Sequence, residues 1–129
     1  MVASSQASRA PMAIFTYDFA VHGGAQGAIV VGANRIPAVS IILDGIIWVE
    51  TAPVGSGASV AISALGANDL LTATAITSLT LNTLHDIVPV CTAATVLRCT
   101  AAIGCTFTIS AADLTAGKIN VAIRYVDLA

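Results

Sequence analysis

The stretch KINVAIRYV, residues 118–126, places apolar side chains at every second position. Ile119, Val121, Ile123 and Tyr125 share one side, and Lys118, Asn120, Ala122, Arg124 and Val126 share the other. Successive side chains of a strand point to opposite faces, so this period commits the segment to a sheet with one side buried. The first set is the expected core face and the second is expected to look outward. A lone strand cannot hide four large side chains, so pairing within a larger sheet is required.

The same period recurs along the chain. IFTYDFAV (14–21) sets Phe15, Tyr17, Phe19 and Val21 on one face, and HGGAQG (22–27) then breaks it. AIVVG (28–32) reads as a short strand and ANR (33–35) as a turn. IPAVSIILDGIIWVETA (36–52) is the longest apolar segment, and its β-branched residues favour the pleated surface. The Asp44-Gly45 pair inside it is either a two-residue hairpin or a bend in one long strand. The bent strand is preferred: Ile42 and Ile46 share a face, as do Leu43 and Ile47, so the alternation is expected to run through unshifted.

PVGSG (53–57) is a loop, ASVAISAL (58–65) a strand and GANDL (66–70) a turn. Residues 70–84 fit Thr-rich strands, an ordered loop or part of a helix. DIVPV (86–90) reads as an edge strand because of Pro89. ATVLRCTA (94–101) and GCTFTIS (104–110) read as two antiparallel strands joined near residues 102–104. AADLTAG (111–117) is expected to form one helical turn, capped by Ser110 with Asp113 three residues on and closed by Gly117. The sum is about eight short strands separated by turns. It predicts an all-β, single-domain β-sandwich, jelly-roll-like and antiparallel, over residues 12–129. Residues 1–11, small and polar with Arg9 among them, read as a flexible N-terminal arm, and Met12 is a candidate second start.

Charge bounds the partners. Only 9% of the 129 residues are charged, against roughly 25% in an ordinary soluble domain. With 57% apolar residues, much of the surface must be small side chains or lie under partners. The net charge is −2 and no basic run occurs, so the electrostatic footprint of a nucleic-acid binder is missing. Every long uncharged stretch is interrupted by Gly, Pro or Thr short of the roughly 20 apolar residues a membrane-spanning helix needs. The opening MVASSQASRAPM lacks the apolar core of a secretion signal, which predicts a protein made and used from the cytosol, with no membrane partner.

Few residues offer chemistry. His22 lies beside a glycine pair and His85 precedes Asp86, but adjacent strand residues point apart; both are expected at the surface or an interface. Ser56 in VGSGA lacks a nucleophile elbow, because Val54 stands where that motif needs Gly. GGAQG has neither the spacing nor the following helix of a dinucleotide loop. Cys91, Cys99 and Cys105 form no C-x-x-C pair, so three reduced buried thiols are expected, with a disulfide or metal site as the lesser alternative. An enzyme is not expected, nor a cofactor. Trp48 and Tyr125 are the residues on which a sugar ring would stack, although Trp48, in the most apolar strand, reads rather as a core or subunit-interface residue.

The order of three segments is informative: FTYDFAV, then IPAVSIILDGIIWVETAPVGSGASVAI, then ISAADLTAGKINVAIRYV. Across about residues 13–127 it resembles the head decoration (cement) proteins of tailed bacteriophages. The resemblance implies a β-sandwich or jelly-roll unit that assembles as a homotrimer, binds the major capsid protein on the outside of a phage head and stabilises the shell. It implies a virion protein at the capsid surface, made in the host cytoplasm, without catalytic residues. Arg9, Trp48 and Arg124 are the candidate capsid or subunit contacts. The alternative is a receptor- or glycan-binding module of a phage tail fibre, which requires Trp48 or Tyr125 to be exposed.

Overall fold

The alternation of the last segment becomes the longest regular ladder of the molecule. In the computed structural model, which describes residues 11–66, 69–87 and 97–128, this segment is strand β9 (Ala116–Asp127). It is sandwiched between β1 (Met12–Asp18) and β3 (Ser40–Val54), antiparallel to both. β6 (Leu84–Asp86) and β7 (Leu97–Cys99) pair with the far side of β3, completing sheet A in the order β1-β9-β3-β6. Sheet B takes β2 (Gly27–Ile36), β8 (Ile103–Ser110), β4 (Ser59–Ser63) and β5 (Leu71–Ala75) in the order β2-β8-β4-β5. Two four-stranded paths in this order are the double Greek key of a jelly roll.

The sheets meet through alternate residues. Phe15, Tyr17, Ile119, Val121 and Ile123 of sheet A face Phe107, Ile109, Val60 and Ile62 of sheet B, each at most 2% exposed. Between the layers the rings of Tyr17 and Phe107 lie 5.6 Å apart, tilted by 34°. Each large side chain so buried contributes about 1.5–3 kcal/mol relative to exposure. Tyr17 keeps its hydroxyl satisfied by donating to the Gly23 carbonyl at 2.6 Å.

β1 is the open edge of sheet A. Tyr125 donates its N–H to the Pro11 carbonyl at 3.1 Å. In an antiparallel pair hydrogen-bonded and non-bonded positions alternate, so the even-numbered residues of β1 turn their backbone groups toward the open edge. Two of those groups find partners within the chain. Arg35 of β2 donates to the Ile14 carbonyl, with its guanidinium over the Phe15 ring at 5.5 Å. The Asp18 N–H donates to Nδ1 of His22 at 3.1 Å.

Several expectations are corrected. Phe19 and Val21 leave the strand, because the Asp18 carboxylate accepts from the Ala20 N–H and starts a single helical turn, α1 (Phe19–His22). Residues 33–35 are not a simple turn: β2 bends at Gly32 (φ 62°), and its register with β8 shifts between Val31 and Ile36. Asp44-Gly45 does lie within one strand, but the alternation does not run through it. Ile42 pairs with Tyr125 and Asp44 with Arg124, so Leu43 is an extra residue, a β-bulge that reverses parity. Ile42 is buried before it, Ile47 and Val49 after it, and Ile46 looks outward.

The segments at 94–101 and 104–110 do not form a hairpin. Leu97–Cys99 joins sheet A and Ile103–Ser110 joins sheet B. Residues 111–117 form no helical turn, because their polar groups bond across the chain instead. The Asp113 carboxylate accepts from the Gln26 N–H at 3.0 Å, and the Leu114 N–H donates to the Gly24 carbonyl at 2.7 Å. Residues 70–84 divide into β5, a 3₁₀ turn at Ile76–Ser78 and the start of β6. β6 covers Leu84–Asp86, and most of the strand expected at 86–90 lies outside the described residues. Residues 88–96, with Pro89 and Cys91, lie outside the described residues, as do Arg9 and most of the expected arm.

Candidate functional site

The outward face of sheet A is where unusual chemistry collects. The register places Ile14 of β1 and Ile46 of β3 on either side of Ala122, and Trp48 beside Leu84 of β6. With Met12, these are large apolar side chains turned to solvent: Trp48 is 40% exposed and Leu84 64%. A core position for Trp48 is therefore excluded. The small side chain of Ala122 leaves a trough between β1 and β3. It continues into a shallow recess of about 360 Å³ lined by Met12, Asp44, Gly45, Ile46, Asp86 and Ala122.

Gly45, in the lining of this recess, has no room for a side chain. A β-carbon there would stand 2.6 Å from the Ala122 carbonyl oxygen and 3.1 Å from the Ile87 side chain. β3 therefore approaches β9 more closely than any other residue permits. The Asp-Gly pair that resembles a hairpin signal is instead a contact between neighbouring strands.

Two polar clusters border the apolar row. Arg124 grips Asp44 in a fork, Nε to Oδ1 at 2.9 Å and Nη2 to Oδ2 at 2.6 Å. The Arg124 hydrogen bond and charge hold the Asp44 carboxyl below its ordinary value of 3.8. At the other border Asn120 donates to Oε1 of Glu50 at 2.9 Å, and Lys118 pairs with Oε2 at 3.3 Å. Thr16 completes the chain by donating to Oδ1 of Asn120 at 2.7 Å. The Asn120 hydrogen bond and the Lys118 pair hold Glu50 below its ordinary value of 4.5. Both carboxylates stay ionised, and the two cations of β9, Lys118 and Arg124, are engaged.

The structure brings Trp48 and Arg124 onto one face; Arg9 lies outside the described residues. Their neighbours Met12, Ile14, Ile46 and Leu84 were missed by sequence reasoning. MAIFTYD carries the signal for two of them: apolar residues occupy both parities, although only one can face the core.

The other chemistry-bearing residues are dispersed. His22 follows β1 at one edge of sheet A and His85 lies on β6 at the other, with β9 and β3 between them. His22 stacks on Tyr17 at 5.9 Å, and His85 reaches Thr83 Oγ1 at 3.3 Å. Cys99 and Cys105 are buried free thiols; burial pushes Cys105 up to about 12, which keeps it protonated and inert. Among the described residues no group of three or more His, Cys, Asp or Glu side chains is placed to hold a metal ion. The arrangement suits contact with another macromolecule through an apolar row and its polar borders.

No protein-family model and no curated protein matches the chain. Two solved structures are similar in fold. One is a chain of the cyanophage Pam1 capsid asymmetric unit, with TM-score 0.60 and 14% identity over 93% of this chain and 87% of that one. The other is a chain of the capsid of Ralstonia phage GP4, with TM-score 0.58 and 12% identity over 95% and 86%. At such identities the likeness is one of fold, the double-sheet jelly roll over nearly its whole length.

Proposed function

We propose that this chain is a structural protein of a tailed-phage head, a decoration protein that binds the major capsid protein on the outer surface as a homotrimer and stabilises the shell. The observation that carries this reading is the near-complete match of its jelly roll to chains found in two phage capsids. The scarcity of charge supports it, since 9% charged residues leave little to keep an isolated chain apart from its neighbours. So does the outward apolar row of sheet A, on which Trp48 and Arg124 are the proposed contacts, with Arg9 proposed as a third.

The test is mass measurement of the purified chain, followed by sedimentation with phage heads. A trimer that travels with heads and raises their melting temperature is expected. A stable monomer at micromolar concentration that stays in the supernatant overturns the proposal. A second reading, a glycan-binding module of a tail fibre, is favoured by one observation: Trp48 presents its ring to solvent. Tyr125 does not share that role, being 9% exposed. Quenching of Trp48 emission by a sugar panel would bring this reading forward.

A further inference from the structure

Sheet A and sheet B offer two different surfaces to a shell, and the structure discriminates between them. We infer that the trough of sheet A, floored by Ala122 and walled by Ile14, Ile46 and Trp48, is the face that docks on the capsid. Its occupant is a protein ridge with an apolar crest and Lys or Arg side chains on its flanks. The inference rests on the decoration reading and adds which face is used and what chemistry it meets.

Charge sets the occupant. The outward face of sheet A carries Asp18, Asp44, Glu50 and Asp86 against Lys118 and Arg124, with Arg98 apart from them on β7. Arg124 is held by Asp44 and Lys118 by Glu50. Asp86 leaves the β6 border acidic, and at the β1 border Asp18 and Glu50 together outnumber the Lys118 that lies opposite Asp18 and pairs with Glu50. Two copies of this face set against each other bring acidic borders together around an apolar centre, and like charges in an interface are strongly disfavoured. A partner with basic flanks meets both borders favourably while its crest fills the trough.

Size points the same way. Four strands spaced at about 4.8 Å and seven residues rising about 3.4 Å each give a face of about 19 by 24 Å, or about 450 Å². That is roughly half of the 800 Å² each partner contributes to a stable complex. Such a contact does not sustain an isolated pair. It suits attachment through several copies at once, where linked weak sites multiply into firm binding.

The test uses the full chain and, as probe, heads of the phage that encodes it, freed of this protein. Wild type is compared with Trp48→Glu, Ile46→Lys and Asp86→Lys, and with Thr108→Lys on the outward face of sheet B. Thermal melting establishes that each variant is folded. Trp48→Glu and Ile46→Lys are expected to weaken binding about tenfold or more. Asp86→Lys should weaken it less and make its fall with rising salt shallower, because an attraction that salt screens has been replaced by a repulsion. Thr108→Lys is expected to stay within about twofold of wild type. Trp48, the sole Trp, should shift its emission to the blue on binding.

Loss of binding in Thr108→Lys with retention in Trp48→Glu and Ile46→Lys overturns the inference and leaves the decoration reading standing. Wild type that fails to bind heads overturns both. If Trp48 is already shielded in free wild-type protein and Trp48→Glu breaks that assembly, the occupant is a second copy and the inference falls.

Discussion

The two outward faces of this sandwich are built on the same period and carry opposite chemistry. Strands of sheet A hold Asp18, Asp44, Glu50, Asp86, Arg98, Lys118, Arg124 and Asp127, whereas on the strands of sheet B Arg35 stands alone. The outward side of sheet B is formed by Ala28 and Val30, Thr106 and Thr108, and Ser59 and Ser63. Hydroxyls keep that face hydrated without charge, and short side chains give it little to grip. Sheet A combines its charges with Met12, Ile14, Ile46, Trp48 and Leu84. A sequence with so few charges has spent them beside its largest exposed apolar side chains, where they pair across strands. The lesson is that scarcity of charge need not mean an even, featureless surface.

The contrast can be broken most severely by removing β9. Deleting residues 118–129 takes out the strand between β1 and β3 and strips four side chains from the core. No cooperative melting transition is expected by circular dichroism, and a folded truncated chain would sink the claim that β9 organises the sheet. Gly45→Ala comes next. Forcing a methyl group against the Ala122 carbonyl should cost about 1–3 kcal/mol in urea unfolding, because β3 must move away from β9.

A smaller effect is expected from Arg124→Ala, which leaves Asp44 without its fork at an exposed site. The loss at neutral pH should stay below about 1 kcal/mol after solvent screening. Its pH dependence has a definite sign. The folded-state pKa of Asp44 is lowered from 3.8, so the pair's contribution is present above that value and fades as pH falls through the lowered one. Urea curves of wild type and Arg124→Ala should therefore converge in acid below pH 3.8. The smallest change is expected on sheet B, where Thr108→Lys should shift stability by less than about 0.5 kcal/mol. A larger loss there would show that the hydroxyl face is structurally demanding and would weaken the contrast.

The parts legible in the sequence are those where one period runs unbroken. β9 is the clearest, with its buried and outward sets both as expected from Ile119 to Val126. The all-β sandwich follows from repeating that reading. What escaped was set by backbone contacts rather than by side-chain pattern. The bulge at Leu43 reverses the faces of β3, and close by Gly45 lies against the Ala122 carbonyl; no hydropathy rule registers an extra residue in a ladder or a backbone approach. Leu97–Cys99 and Ile103–Ser110 look like neighbours in sequence, yet each finds a better partner elsewhere, β3 in one sheet and β2 and β4 in the other. Asp113 carries a helix-start signal that is overruled by a donor 87 positions away. Of the candidate site, Trp48 and Arg124 were visible as individual residues; the row they belong to spans four strands and exists only once the register is known.

Arg35 has a consequence for crowding. A bare strand edge is an invitation to the edge of any identical molecule alongside, and copies held side by side at high local concentration are at risk of zipping into a continuous ribbon. By occupying the Ile14 carbonyl and lying across Phe15, Arg35 acts as a clasp at the open margin where the two layers meet. It bars a stranger's strand from entering register there. Neighbouring copies can then stand shoulder to shoulder as separate tiles, and order among them is left to whatever surface they share.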